Sequence, residues 1–189
     1  MASTRLNFRP ATEEDAIPLE HLINTAFRDD KTTQVFLSTD HVGIDVTNVD
    51  GIKAKISQPN CAVFVGVDPE GTIVAHGSVR KLDETRAWFG LLAVDVLYQK
   101  RGLGSQVLAY AEYYARKEWT STRMEFDAVN TRSELIAWYK HRGYKETGET
   151  TPFPYEYHGD WRGVLRDDLH FVVFGKNLGE DDLAMRPAT

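Results

Sequence analysis

The sequence lacks most of the devices that would tie it to a membrane, a metal or an oxidising compartment. It has one cysteine, so no disulfide can close within the chain, and a reducing, cytoplasmic setting is expected. That residue, Cys61, opens an apolar run and reads as a small buried hydrophobe, not a catalytic thiol. No apolar run approaches the ~18 residues that a membrane span needs, and Met1 to Leu6 lack the apolar core of a signal peptide. Lys and Arg form no block and the net charge is −6, which argues against a nucleic-acid partner. The histidines are scattered at 21, 41, 76, 141, 158 and 170, with no H-x-x-x-H and no C-x-x-C, so no metal site is expected. No arranged Ser/His/Asp set or Cys/His pair is legible for a covalent mechanism.

What is present is an ordinary globular balance, 42% hydrophobic and 26% charged over 189 residues. One domain over 1–180 is expected, with a flexible tail over 181–189. Residues 5–9 alternate as a strand. Thr12 before Glu13, Glu14 and Asp15 predicts a helix start, and the helix should run to about Phe27 with Leu19, Leu22, Ile23 and Ala26 buried. Residues 28–49 give little periodic signal, and a short helix follows over 50–57. A hairpin is predicted over 61–67 and 72–80, turning at Asp68-Pro69-Glu70-Gly71. A strand at 87–96 carries Leu91-Leu-Ala-Val94, an apolar run that predicts burial on both faces.

A glycine turn then opens a helix with Leu103, Val107, Ala111, Tyr114 and Ala115 on one stripe and Glu112 pointing elsewhere. A strand at 123–129 follows. Thr131 and Glu134 read as a capping box for a helix ending near Gly143, and the last strand is 170–174. The order β-α-α-β-β-β-α-β-α-β-β predicts an α/β fold with a mixed, mostly antiparallel central sheet flanked by helices, not a doubly wound nucleotide fold.

The stretch Val94-Asp-Val-Leu-Tyr-Gln99-Lys100-Arg101-Gly102-Leu-Gly104-Ser105 runs from a buried strand through a glycine turn into an amphipathic helix. Glycine permits a tight bend and close ligand approach, and the first helical N–H groups have no intrahelical acceptor. With the positive end of the helix they form an anion site suited to a pyrophosphate. Lys100 and Arg101 add charge. The dinucleotide fingerprint would need a third glycine at 107, where Val107 stands, and no P-loop is present. A joint that uses glycine for geometry alone stays open on these residues.

Gln99-x-x-Gly102-x-Gly104 resembles the coenzyme A pyrophosphate loop of the GNAT acetyltransferase superfamily. The strand ending at Asn130, then Trp138-Tyr139-Lys-His-Arg-Gly143-Tyr144, is similar to the family's second signature, and Phe8-Arg9-Pro10-Ala11-Thr12 to its N-terminal segment. The likeness spans residues 5–178. Glu134 to Tyr139, Gly148-Glu149 and Pro152-Phe153-Pro154 resemble a subgroup of small members without an assigned acceptor.

The resemblance implies an N-acetyltransferase that uses acetyl-CoA as co-substrate and no metal. A small-molecule primary amine would attack directly in a ternary complex. Acetylation of a protein or peptide is the second reading, and a non-catalytic acyl-CoA-binding module the rival. Backbone N–H groups around Val94 and Val96 would hold the thioester carbonyl. Gln99, Lys100, Arg101, Gly102, Gly104 and Ser105 would cradle the pyrophosphate, and Asn130 would bond the pantetheine arm or serve as a strand-end turn. Tyr139 matches the family's general acid, with a core aromatic as the alternative. No base stands on Trp88 to Val94; Asp95, Glu125 and Asp127 are the nearby acids, each also readable as structural. Phe27, Asp40, Trp138 and Phe153 are candidates for the acceptor pocket. For the aromatics among them, edge packing or a homodimer surface is an equal alternative.

Overall fold

Seven strands pair into one sheet in the computed structural model, which describes residues 5–29, 46–155 and 165–179. They are β1 (Asn7–Pro10), β2 (Cys61–Val67), β3 (Ile73–Lys81), β4 (Arg86–Val94), β5 (Arg123–Val129), β6 (Lys145–Pro152) and β7 (His170–Asn177). The order across the sheet is β1-β2-β3-β4-β5-β7-β6, antiparallel everywhere except at β4–β5. Among the described residues four α-helices flank it: α1 (Ala16–Asp29), α2 (Val49–Ser57), α3 (Leu103–Trp119) and α4 (Ser133–Lys140). The expected fold class is the one observed. Asp40 and the predicted tail over 181–189 lie outside the described residues.

Each face of the sheet has its own apolar cluster. Phe64, Val79, Phe89, Leu103, Val107, Phe126, Tyr139, Tyr144 and Phe174 fill the α3–α4 face. Leu19, Ile23, Ala26, Ile52, Val63, Val65 and Ala93 fill the α1–α2 face. Alternation along β2 divides Phe64 from Val63 and Val65, as a period of two requires. Removing this apolar area from water is the main force that holds the helices to the sheet.

The helix starts differ in how they are satisfied. Ahead of α1, the Thr12 N–H donates to Asp15 Oδ2 at 2.7 Å, and the Arg9 fork reaches Asp15 at 2.7 and 2.8 Å. The bonds from Arg9, aided by the Thr12 N–H, hold the Asp15 carboxyl down at about 2. Asn48 caps α2, accepting from the Gly51 N–H at 2.7 Å. The capping box predicted at Thr131 and Glu134 does not form: α4 starts at Ser133 after Arg132, which supplies no side-chain cap. Thr131 Oγ1 is buried without a partner.

Other departures follow from neighbours that the local pattern does not name. Glu112, predicted to point away from the core, is buried; Tyr144 Oη donates to it at 2.8 Å and Lys176 Nζ at 2.9 Å. β7 runs on to Asn177 because β5 pairs with it along its whole length. β4 stops at Val94, where a single 3-10 turn (Val96–Tyr98) begins, its Leu97 N–H accepted by Asp95 Oδ1 at 2.8 Å. Leu91, Leu92 and Val94 are only half-buried, contrary to the expectation for β4, because the sheet opens beside them.

Candidate active site in the gap between two parallel strands

The parallel pairing of β4 with β5 lasts three residues, Arg86–Trp88 against Arg123–Glu125. β5 then stays with β7 out to Val129 with Phe171, while β4 stays with β3. The strands therefore part, and among the described residues β4 has an open edge from Phe89 onward. A bulge helps to turn it: between the pairs Ser78–Gly90 and His76–Ala93, β4 holds one residue more than β3. Leu91 sits there at φ +50°, which is uncommon for a leucine.

The Asp95 N–H donates to Val74 O at 2.9 Å, which makes Val94–Ala75 a non-hydrogen-bonded pair. The Val94 N–H therefore points away from β3, toward the open edge. The Val94 carbonyl accepts from Gln99 Nε2 at 3.2 Å, so Gln99 braces the loop back onto the strand. The loop bends through two left-handed residues, Lys100 at φ +61° and Gly102 at φ +81°.

Gly102 is the N-cap of α3. It supplies no side-chain acceptor, and no acid stands in the first turn. The Ser105 and Gln106 N–H groups share the Gly102 carbonyl at 3.1 and 3.4 Å. The N–H groups ahead of them are the bare amides of a helix start. Arg142, which the sequence reading passed over, adds positive charge here. Its Nη2 donates to Ser105 Oγ at 2.5 Å, its Nη1 to Trp138 O at 2.9 Å, and its guanidinium lies 3.7 Å from the centre of the Trp138 ring. The signal for it was the four-residue helical spacing from Trp138. Arg101, by contrast, lies over Tyr98 at 5.2 Å.

Tyr139 is buried against Phe126, with ring centroids 4.0 Å apart, and edge-on to Trp138 and Tyr144. Burial pushes its phenol well above the ordinary range, with Arg132 and Arg142 opposing. It is thus a protonated hydroxyl at neutral pH. Trp138 is half-buried beside the loop: a Cβ built on Gly104 would meet it at 3.6 Å and Leu92 at 3.9 Å.

The remaining predicted residues are dispersed. Asn130 spends its side chain on the start of β7, donating to Asp168 O and accepting from the His170 N–H, both at 3.2 Å, as a strand-end residue does. Phe153 is buried in a separate small cluster with Val129, Leu169 and Phe171 and does not join Trp138. Phe27, at the end of α1, lies under the Arg132 guanidinium at 5.6 Å. Among the acids, Glu125 is engaged by Arg123 at 2.5 Å and Arg86 at 3.4 Å. Asp127 is half-buried, and burial raises its carboxyl.

On the α1–α2 face His76 is buried with both ring nitrogens unpartnered. It borders a cavity of about 30 Å³ with Ile23, Thr47, Lys55 and Leu91, a volume suited to a water molecule. Burial and the Lys55 charge lower the imidazole to about 3; the Phe64 carbonyl, close but outside hydrogen-bonding geometry, pulls the other way. His76 is neutral at physiological pH.

The family model "Acetyltransferase (GNAT) family" matches residues 19–144. No curated protein matches the chain significantly. Among solved structures, spermidine N-acetyltransferase from Vibrio cholerae in complex with CoA and spermine is 11% identical with a TM-score of 0.69, over 92% of this chain and 96% of its own. The Salmonella typhimurium protein yncA with its cofactor acetyl-CoA is 16% identical with a TM-score of 0.66, over 94% and 96%. A GNAT-family acetyltransferase from Staphylococcus aureus MU50 is 13% identical with a TM-score of 0.64, over 92% and 99%. At these identities the structural likeness is one of fold.

Proposed function

Because the chain belongs to the GNAT acetyltransferase family, we propose that it transfers the acetyl group of acetyl-CoA to a primary amine of a small molecule by direct attack in a ternary complex. One observation carries this reading: an open strand edge runs straight into a helix start with no side-chain cap. The pyrophosphate would lie on the amides from Gly102 to Gly104, with Lys100 and Arg142 beside it and Arg101 stacked on Tyr98. The arm would run back along the free edge of β4, past Val96 and Val94, as a surrogate strand. There the Val94 N–H would bond the thioester carbonyl and then the oxyanion; one such donor is worth about 3 kcal/mol in a transition state.

Tyr139, in the apolar cluster on the α3–α4 side of the sheet, would as a protonated phenol give its proton to the departing sulfur. Asn130, tied to β7, is better read as a strand-end brace than as a ligand of the arm. A small amine is also what the name of the Vibrio cholerae enzyme gives as its acceptor.

The test is thiol release from acetyl-CoA over a panel of amines, amino acids, aminoglycosides and polyamines, with thermal shift alongside. Release with a small amine and a raised melting temperature in acetyl-CoA support the reading. A raised melting temperature without release on any acceptor favours a non-catalytic binding module. Release on peptides alone moves the acceptor to a protein.

A further inference from the structure

Acetyl transfer to an amine needs a seat for an ammonium and a group to take its proton. The gap between β4 and β5 has two faces, and the groups assigned so far lie on one. Phe89, Phe126 and Tyr139 belong to the α3–α4 cluster. Side chains alternate along β5, so Glu125, Asp127 and Val129 project to the opposite face, the side on which α1 and α2 lie. By the same alternation Trp88 and Gly90 of β4 share that face.

The last parallel pair is Trp88 with Glu125. Two residues further on, Gly90 stands across the widening gap from Asp127. With no side chain of its own, Gly90 leaves room at that position: among the described residues a Cβ built there meets only Ser78 Oγ, at 3.6 Å.

Among the described residues no cation claims the Asp127 carboxylate. Glu125, two residues back on the same face, holds Arg86 of β4 and Arg123, and Arg86 also binds Asp83 at 2.7 Å. β7 sets Val173 beside Asp127, flanked by Phe171 and Gly175. The buried face of α1 that packs toward β4 carries Leu19, Leu22, Ile23 and Ala26, none titratable. His76 of β3 is neutral, and Arg132 beyond the strand lies over Phe27. No charged neighbour is among the causes of the raised Asp127 carboxyl; burial is the one that raises it. A half-buried carboxylate in this setting attracts a cation, and its affinity for a proton is closer to that of an amine than a solvated one's.

Resting on the acetyl-CoA reading above, we propose that the acceptor's ammonium seats between Gly90 and Asp127 and that Asp127 takes its proton, which makes Asp127 the base and a compact primary alkylamine the acceptor. The ammonium gives one proton to the carboxylate, which passes it to solvent. The freed nitrogen lone pair forms the C–N bond to the thioester carbon, and the C=O pair moves onto oxygen. On collapse the C–S bond breaks, Tyr139 protonates the thiolate, and the phenolate recovers the proton lost by nitrogen. The products are amide, free thiol and one proton.

The experiment is an alkylamine series graded in basicity by fluorine substitution, run with wild type and Asp127→Asn. The variant should lose about 100-fold in kcat/KM on the most basic amine. The loss should shrink toward unity as the amine becomes largely neutral in solution. The acid limb of the wild-type pH profile, where activity falls as pH drops through the raised carboxyl, should vanish in the variant. Gly90→Leu, which fills the seat without touching Asp127, should raise the amine KM at least tenfold while acetyl-CoA still raises the melting temperature. A loss equal across the series, or an acid limb that persists in Asp127→Asn, overturns the assignment and leaves the acetyltransferase reading standing. A wild-type chain that releases thiol with no amine overturns both.

Discussion

The two faces of the β4–β5 gap differ in kind. The α3–α4 face is a wall of aromatic rings, Phe126, Trp138, Tyr139 and Tyr144, in edge and tilted contact. The face toward α1 and α2 carries Glu125 and Asp127 of β5 opposite Trp88 and Gly90 of β4, with Ala93 and His76 further along it. Desolvation acts on both, in opposite senses for their chemistry. It keeps the Tyr139 phenol protonated, and so a proton donor; it raises the Asp127 carboxyl, and so makes it a better acceptor. In the proposed reaction the gap would hold a proton donor on one side of the thioester and a proton acceptor on the other.

Removing the donor should give the largest effect. Tyr139→Phe keeps the ring and its contact with Phe126, so stability should hold. Turnover should drop about 100-fold, roughly 2.7 kcal/mol in the barrier, while the acetyl-CoA KM changes far less. Steady-state kinetics with saturating amine measures it, and equal turnover at every pH would take Tyr139 out of the chemistry.

The next effect belongs to the other face and is one of stability. His76 titrates at about 3 in the fold and near its ordinary value when unfolded. Between those values the unfolded chain binds more protons, so the contribution of neutral His76 is full above about 6.5 and is lost as pH falls toward 3. By linkage the chain should be about 2 kcal/mol less stable at pH 5 than at pH 7 from this group alone. His76→Leu should flatten that dependence in urea titrations. A variant as acid-sensitive as wild type would mean that the cavity lets His76 charge while folded.

Much of this contrast was legible in the sequence, and the rest was not, for a physical reason. Periodicity marks strands and helices, so β2, β3, β5 and α3 lie close to where alternation and the helical stripe put them. The Gln99 to Gly104 loop and the Tyr139 helix were readable because glycine, charge and aromatic spacing are local signals. The bulge at Leu91 left no such mark: it is one extra residue in a run of apolar ones, visible only once β3 is laid beside it. Nor does any local pattern say that β4 and β5 part after Trp88, which decides that Leu91, Leu92 and Val94 face an opening. Glu112 was misplaced because its partners, Tyr144 and Lys176, are 32 and 64 residues away. Arg142 reaches Ser105 across 37 residues.

The two glycines of the α3 start divide the loop's role into geometry and clearance. Gly102 holds φ +81°, where a side chain is strained whatever the space around it. Gly102→Ala should therefore cost about 1–2 kcal/mol of stability and weaken acetyl-CoA binding with it.

Gly104 is different. It lies within the helix, and a methyl there meets Trp138 and Leu92 at ordinary contact distance. Gly104→Ala should leave the folding stability unchanged or raise it by about the few tenths of a kcal/mol that alanine gains over glycine near a helix start. Any loss of acetyl-CoA affinity in that variant must then come from the ligand side, from a methyl standing where the diphosphate approaches. Calorimetric titration beside a melting curve separates the two. Weakened binding with intact stability places the diphosphate on the Gly104 amide, and unchanged binding moves it off that turn.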